Sequence, residues 1–264
     1  MSTDYGGFTE EQFRRYARHI VLHEVGGKGQ KRLLASRVLV VGAGGLGSPA
    51  ALYLAAAGVG TLGLCDGDTV DLSNLQRQIL HGTPDVGRGK VDSGRDAIGR
   101  INPEVRVSAH ALRVGADQVA EIIAGYDVVV DGSDNFATKF LLNDAAVAAG
   151  VPLVIGGILR FSGQLLTVLP RSACYRCVFE EAPSAPAAAC QEAGVLGAVA
   201  GVVGSLQAVE VLKVLLGRGT PYANRILVYD ALSGSFREVA VSRRPGCRAC
   251  NPDKNLTVMP RTRS

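Results

Sequence analysis

The residue types that could do chemistry fall into three groups: a glycine turn with an acid behind it, a run of amides and cations, and paired cysteines. Gly42, Gly44 and Gly47 form a Gly-x-Gly-x-x-Gly turn, with Gly45 inside it. The turn follows the β-branched run Arg37 to Val41 and precedes an alanine-rich stretch to about Ala57. Between a strand and a helix, such glycines let backbone N–H groups approach a phosphate at the positive end of the helix. Asp66 comes 19 positions after Gly47, at the end of the next apolar run. A carboxylate there can accept hydrogen bonds from ribose hydroxyls. The pair points to a nucleotide without naming it. An NAD-dependent oxidoreductase is the rival, and the bland alternative is glycines that only permit tight packing.

The stretch from Asp66 to Lys90 favours a triphosphate. It holds Asp68, Ser73, Asn74, Leu75, Gln76, Arg77 and Gln78, then Gly87-Arg88-Gly89-Lys90. A nicotinamide needs an apolar pocket and a hydride-transfer site. Arg77 instead brings a planar fork for phosphate oxygens and Lys90 a point charge. Such groups neutralise charge as pyrophosphate leaves an α-phosphorus. Taken singly, either cation also reads as a solvated surface residue.

Asp131-Gly132-Ser133-Asp134-Asn135 follows the apolar run Asp127 to Val130, and so falls at a strand's C-terminal end, where open α/β sheets bind ligands. Asp134 offers hard oxygen ligands for a Mg²⁺ that bridges phosphates. Its alternative task is to cap the helix that begins at Phe136.

Of the six cysteines, four form two Cys-x-x-Cys pairs, Cys174/Cys177 and Cys247/Cys250. Two such pairs suit a closed, structural Cys₄ zinc site, and two redox dithiols are the alternative. Cys190 lies in a Pro/Ala/Ser-rich stretch, Glu180 to Ala189 and onward, expected to be a mobile loop. A thiolate there is either a nucleophile for an activated acyl group or an incidental exposed thiol. Cys65 ends a strand and is expected in the core. The four histidines show no ligand spacing and are assigned surface or packing roles.

The elements that must position these groups alternate. After an amphipathic helix opened by Thr9-Glu10-Glu11-Gln12 and a short helix to Ala35, strands are expected at 37–41, 61–65, 105–109, 127–130 and 152–155. Helices are expected at 90–101, 116–124 and 136–149 between them. This order predicts a Rossmann-like α/β fold, a mostly parallel sheet with helices on both faces. A strand at 163–169 and a hairpin of 225–230 with 235–241 then predict antiparallel strands, closed by the Cys₄ zinc site.

The chain is 47% hydrophobic and 20% charged, with net charge +4, which suits an anionic substrate and is too weakly basic to indicate nucleic acid. No signal peptide is expected in Met1 to Arg18. The uncharged run from Gly194 to Val209 is short for a membrane span and reads as a buried helix. A cytoplasmic protein without membrane contact is expected.

Taken together, the motifs resemble the MoeB/ThiF group, the molybdopterin-synthase and thiamine sulfur-carrier adenylyltransferases, which are related to the core of ubiquitin-activating enzymes. The similarity runs from about Arg14 to Cys250. It rests on Arg15-Tyr16-x-Arg18, the glycine turn, Ser73 to Gln78, Val86-Gly87-x-x-Lys90 and Asp134-Asn135. Cys174-Tyr175-Arg176-Cys177, Glu192-Ala193-Gly194-Val195 and Tyr229-Asp230-Ala231 add to it.

The resemblance implies that Gly45, Asp66 and Ser73 to Arg77 hold ATP, that Arg77 and Lys90 bind its phosphates, that Asp134 binds Mg²⁺ and that Asn135 binds the nucleotide. Arg18 would reach the γ-phosphate in a partner subunit, which implies a homodimer. The reaction implied is attack of a small ubiquitin-like carrier's C-terminal Gly-Gly carboxylate on the α-phosphorus. Cys190 matches a cysteine that links covalently to the carrier in some relatives and is dispensable in others. No rhodanese-like domain follows Cys250, so sulfur is expected from a separate desulfurase or sulfurtransferase.

A single domain is expected over residues 1–250, with a nucleotide-binding half to about 157 and a carrier-binding and zinc half from 158. Residues 251–264 are expected to be a disordered tail. A catalytically silent carrier-docking protein is the remaining alternative.

Overall fold

The computed structural model describes residues 6–182 and 194–251. Cys190 and the tail from residue 252 lie outside the described residues, and so does most of the loop expected to be mobile.

Helices α1 (Glu10–Ile20) and α2 (Gly26–Ala35) lead into β1 (Arg37–Val41), α3 (Gly47–Ala56), β2 (Thr61–Cys65), α4 (Lys90–Ile101) and β3 (Arg106–His110). Then come α5 (Val119–Ala124), β4 (Val128–Asp131), α6 (Phe136–Ala149), β5 (Leu153–Leu159) and β6 (Ser162–Val168). A one-turn helix α7 (Tyr175–Val178), the long α8 (Gly197–Leu216) and the hairpin β7 (Arg225–Asp230) with β8 (Ser235–Ala240) complete the order. The expected capping box is present at α1, where Thr9 and Gln12 exchange side-chain-to-backbone hydrogen bonds.

The strands form one eight-stranded sheet in the order β3-β2-β1-β4-β5-β6-β7-β8. The first five are parallel, and β6 to β8 continue the sheet antiparallel. The expected fold class is therefore the observed one. Alternate residues of β1 face opposite sides, as strand geometry requires. Val38 and Val40 join a core covered by α3, α4 and α8. Leu39 and Val41 join a second core covered by α5, α6 and the paired cysteines. Central strands buried on both faces are mostly apolar, which is why β1 and β4 carry the runs Val38 to Val41 and Val128 to Val130 and β2 places Leu62, Leu64 and Cys65 around Gly63.

Strand order reverses between β1 and β4, the two neighbours whose connections run in opposite directions. That switch point opens a crevice outside the C-terminal ends of the strands.

Three expectations shift, and the first cysteine pair gains an element. Strand β5 runs on to Leu159 because Gly156 and Gly157 pair with Leu165 and Gln164 of β6 instead of ending it. Helix α5 begins at Val119, after a turn. The first cysteine pair sits on the turn of helix α7. Helix α8 is 20 residues long and is apolar enough to cross a membrane by length and composition, longer than the sequence pattern suggested. It extends through Glu210, which is buried and accepts from Thr167 Oγ1 at 2.5 Å and the Tyr222 N–H at 2.6 Å. Its Val199, Val203, Ala208 and Val211 are buried, so its apolar face is used by the fold's own core.

Candidate functional site

The glycine turn is built by close approach. Gly42 has φ of 89°, a conformation side chains rarely adopt. A Cβ on Gly47 would stand 1.8 Å from the Gly42 carbonyl oxygen, and one on Gly42 would stand 2.9 Å from that of Gly132. The turn after β1 and the loop after β4 are thus in contact at the switch point.

Asp66 clamps this turn. One carboxylate oxygen accepts the Ala43 N–H at 2.8 Å, and the other accepts the Asp68 N–H at 2.8 Å. His81 holds the other side of Ala43: its Nε2 lies 2.9 Å from the Ala43 carbonyl oxygen, and its Nδ1 lies 2.8 Å from Ser93 Oγ. The carbonyl can only accept, so Nε2 carries the proton. Burial holds the His81 pKa below its ordinary value, against the Ala43 hydrogen bond and with help from nearby Lys90.

Lys90, at the start of α4, is only 6% exposed. Its ammonium is 3.2 Å from Asp68 and 3.8 Å from Asp66. Asp68 is shared with Arg113, whose guanidinium lies 2.8 Å away and whose stem crosses Gly67. Arg113 is the main reason the Asp68 carboxyl sits below the usual carboxylate range; burial opposes this and Lys90 adds to it.

The amide and cation run lies along the glycine turn. Asp71 caps the short 3₁₀ turn Leu72–Asn74 and binds both the N–H and the hydroxyl of Ser73. Leu75 closes that turn through its N–H to Leu72, and the Gln76 carbonyl lies against Gly197, where α8 starts. Arg77 donates to Asn74 Oδ1 at 2.7 Å and to the Ser73 carbonyl at 3.3 Å. Its stem stands 3.5 Å from where a Cβ on Gly45 would be, and the Gln78 amide nitrogen is equally close to Gly44. Gln78 is buried, and its Oε1 accepts no hydrogen bond from the described residues, an unmet acceptor beside the turn.

After β4, Asp131 binds the N–H and hydroxyl of Ser133. The α6 cap is Asn135, whose Oδ1 accepts the Thr138 N–H at 2.9 Å. Capping therefore falls to Asn135, and the exposed Asp134 carboxylate has no part in it. Arg113 also interacts electrostatically with Asp134. The crevice accordingly gathers the glycine turn, Asp66, Asp68, Ser73 to Gln78, Lys90, Asp134 and Asn135. Its chemistry is that of an anion site: backbone N–H groups, a helix start and cations around a carboxylate suited to a hard metal ion.

Arg18 is not among them. Helix α1 is pinned by Tyr16, whose hydroxyl accepts from Asn102 at 2.8 Å and which packs on Gly58, and by Arg15, which reaches the Ile101 carbonyl. Gly58 and Asn102 follow the C-terminal ends of α3 and α4. Helix α1, which carries Arg18, is thus anchored at the end of the sheet opposite the crevice, with the length of α3, about 15 Å, between that anchor and the glycine turn.

The sequence reading missed Arg113, Lys139 and the clamping role of His81. Lys139 is buried within α6 and bonds to Asp131, Ser133 and Gly156. Arg113 and Lys139 carry no motif signal; His81 was assigned only a surface or packing role.

The cysteines form a second site. All four sulfurs lie within 4.8 Å of one another. Separations of 3.9 Å (Cys174–Cys177), 3.7 Å (Cys174–Cys247) and 3.5 Å (Cys177–Cys250) surround the roughly 3.8 Å edge of a tetrahedron with Zn–S bonds of about 2.3 Å. Sulfurs of the two pairs interleave, so this is one cluster and not two separate dithiols, and it fits zinc. Burial pushes the Cys174 thiol up, with Cys177 adding to it. Burial also opposes the Cys247 thiolate, yet the N–H groups of Cys250 and Ala249 bring it down to about 7. Arg176 stacks on Phe140 and pairs with Asp144 at 2.6 Å, fixing the first knuckle on α6.

The fold and crevice define a Rossmann-like α/β protein with a glycine turn at its switch point and a four-cysteine cluster. The ThiF family profile matches residues 16–249, and the chain belongs to the ThiF family. It is 49% identical over 240 residues to the SAMP-activating enzyme E1 of Haloferax volcanii, covering 90% of this chain and 89% of that one. It is 47% identical over 253 residues to the sulfur carrier protein adenylyltransferase of Thermus thermophilus, with 93% of each chain covered. Among solved structures it resembles E. coli MccB crystallised with ATP, with a TM-score of 0.79 at 24% identity, covering 89% of this chain and 74% of that one. At that identity the likeness shows the fold alone.

Proposed function

We propose that this chain is an ATP-dependent adenylyltransferase for a small ubiquitin-like sulfur-carrier protein with a C-terminal Gly-Gly. Its relatives of similar length carry the names of sulfur-carrier adenylyltransferase and SAMP-activating enzyme. The observation that carries the reading is the meeting of the glycine turn with Arg77, Lys90 and the Asp134 loop at one switch-point crevice.

In the reaction, a carrier carboxylate oxygen bonds to the α-phosphorus of ATP. The bond from that phosphorus to the bridging oxygen breaks, and pyrophosphate leaves with the electron pair. The glycine turn holds phosphate through backbone N–H groups, and Asp66 keeps the turn in place while accepting ribose hydroxyls. Arg77 and Lys90 neutralise charge on the phosphates. Ser73 to Gln78 and Asn135 line the nucleotide, and Asp134 holds Mg²⁺, which supplies charge neutralisation when bound. Alignment and charge carry such a reaction more than acid–base catalysis.

Arg18, too far from its own crevice, serves the γ-phosphate of a second copy, which makes a homodimer with two composite sites. Cys174, Cys177, Cys247 and Cys250 hold a structural Zn²⁺ that joins the C-terminal segment to α6 and α7. The thiolate cluster suits a reducing, cytoplasmic setting. A separate desulfurase or sulfurtransferase then supplies sulfur, for a molybdopterin, thiamine or other pathway, and Cys190 is the candidate for any covalent link to the carrier. An NAD-dependent oxidoreductase is disfavoured by the cations packed along the turn, and a silent docking protein by their retention together. Mass spectrometry of carrier incubated with ATP·Mg²⁺ and this protein tests the reading: an AMP adduct at the carrier's C-terminus is expected, and an unmodified carrier contradicts it.

A further inference from the structure

Lys139 is buried in the first half of α6. Its ammonium has three N–H donors and three acceptors: Asp131 Oδ2 at 3.1 Å, the Ser133 carbonyl at 2.9 Å and the Gly156 carbonyl at 2.6 Å. With every donor used, it has none to offer a ligand. Its partners say what it does instead. Asp131 is wholly buried, and its other oxygen binds the N–H and hydroxyl of Ser133. The Asp131 carbonyl accepts from Gln207 at 2.8 Å, and the next N–H, that of Gly132, donates to the Val41 carbonyl at 2.8 Å. Gly132 itself packs against the Gly42 carbonyl. Lys139 therefore ties the loop that ends in Asp134 to β5 on one side, while the same loop abuts the glycine turn on the other.

We infer that Lys139 is a positioning residue: it fixes the loop Gly132–Ser133 so that the Asp134 carboxylate is aimed into the crevice at a set distance from the phosphate-binding turn. The inference rests on the reading of Asp134 as the metal ligand. A neutral residue at 139 would leave the Asp131 carboxylate buried without its cation, so Asp131 would turn toward other donors and take the Ser133 backbone with it. Supporting partners of this kind typically govern metal affinity by about 10- to 100-fold without touching the metal.

The test uses the full chain, Mn²⁺ as the probe and α,β-methylene-ATP as a nucleotide that cannot turn over. Mn²⁺ affinity is read by electron paramagnetic resonance, with melting temperature and zinc content recorded for each variant. The double variant Lys139→Met/Asp131→Asn removes both buried charges together, and Lys139→Gln is a second variant that keeps an amide donor for the carbonyls. Both are expected to weaken Mn²⁺ binding about 10-fold with zinc retained, Lys139→Arg to stay within about twofold of the parent, and Asp134→Asn to weaken it at least as much as the double variant. Parent-like Mn²⁺ affinity in a folded Lys139 variant, beside a weakened Asp134→Asn, overturns the positioning role alone. Parent-like affinity in Asp134→Asn overturns the metal assignment and this inference with it.

Discussion

Asp66 and Lys90 face each other at 3.8 Å beneath the glycine turn, and the same Asp66 oxygen holds the Ala43 N–H at 2.8 Å. One carboxylate thus sets both the backbone proposed to meet phosphate and the cation beside it. Asp66→Ala is expected to loosen both. Hydrogen bonds to a charged group contribute about 1.5–3 kcal/mol, which corresponds to a loss of nucleotide affinity of about 10- to 100-fold. Calorimetric titration with α,β-methylene-ATP checks this, and an unchanged Kd would remove Asp66 from the site.

The placement of Arg18 predicts complementation. Helix α1 is anchored at the C-terminal ends of α3 and α4 through Tyr16 and Asn102, away from its own crevice. Arg18→Ala and Asp134→Ala should each be inactive alone. Mixed in equal amounts and allowed to exchange subunits, they should recover about a quarter of parental activity, since half the dimers then carry one intact composite site. Absence of recovery in a mixture shown to contain heterodimers would return Arg18 to a role within its own chain.

The cysteine cluster predicts a structural metal. One zinc per chain is expected, and Cys247→Ala should lose it and melt well below the parent, because metal binding of this kind is folding free energy. Cys247 is buried among Cys174, Tyr175 and Phe140, so its loss opens the second core as well as the metal site. Zinc analysis by emission spectroscopy and thermal melting read both effects. A Cys247→Ala protein that melts with the parent would make the cluster incidental.

His81 predicts an acid-sensitive turn. Its pKa is depressed by burial, so the unfolded chain binds the proton more readily than the folded one. The stability due to neutral His81 is complete above the ordinary histidine value of about 6.5 and is lost as pH falls through the lower folded-state value. His81→Gln should therefore flatten the dependence of melting temperature on pH below about 6.5, and the gap between parent and variant should narrow as the solution is acidified. A gap that widens on acidification would reverse the sign of the argument.

How much of this was legible in the sequence follows from how far each contact reaches. The glycine turn, Asp66 and the cysteine pairs announce themselves by residue type, because only glycine permits the approach of Gly47 to Gly42 and only sulfur pairs so spaced make such a cluster. The α/β class followed from apolar runs alternating with helical stretches. Arg113 was invisible because it meets Asp68 across the β2–β3 pairing, 45 positions away. His81 and Ala43 are 38 positions apart, and nothing in either residue type announces the contact. Gly156 and Gly157 looked like the end of a strand, yet they are paired within it, and Gly156 leaves room for the Gln207 side chain. Lys139 carries no motif, and its burial depends on β4 and β5 lying side by side.

The central claim is that the crevice activates a carrier's C-terminal carboxylate at the α-phosphorus. Exchange of labelled pyrophosphate into ATP tests it most directly. The account predicts exchange that requires a carrier ending in Gly-Gly, vanishes when the last glycine is removed and is lost in Asp134→Ala, a variant that keeps its fold and zinc. Cys190→Ala should retain it. Exchange that ignores the carrier, or its absence with every Gly-Gly carrier from the same cell, would contradict the account.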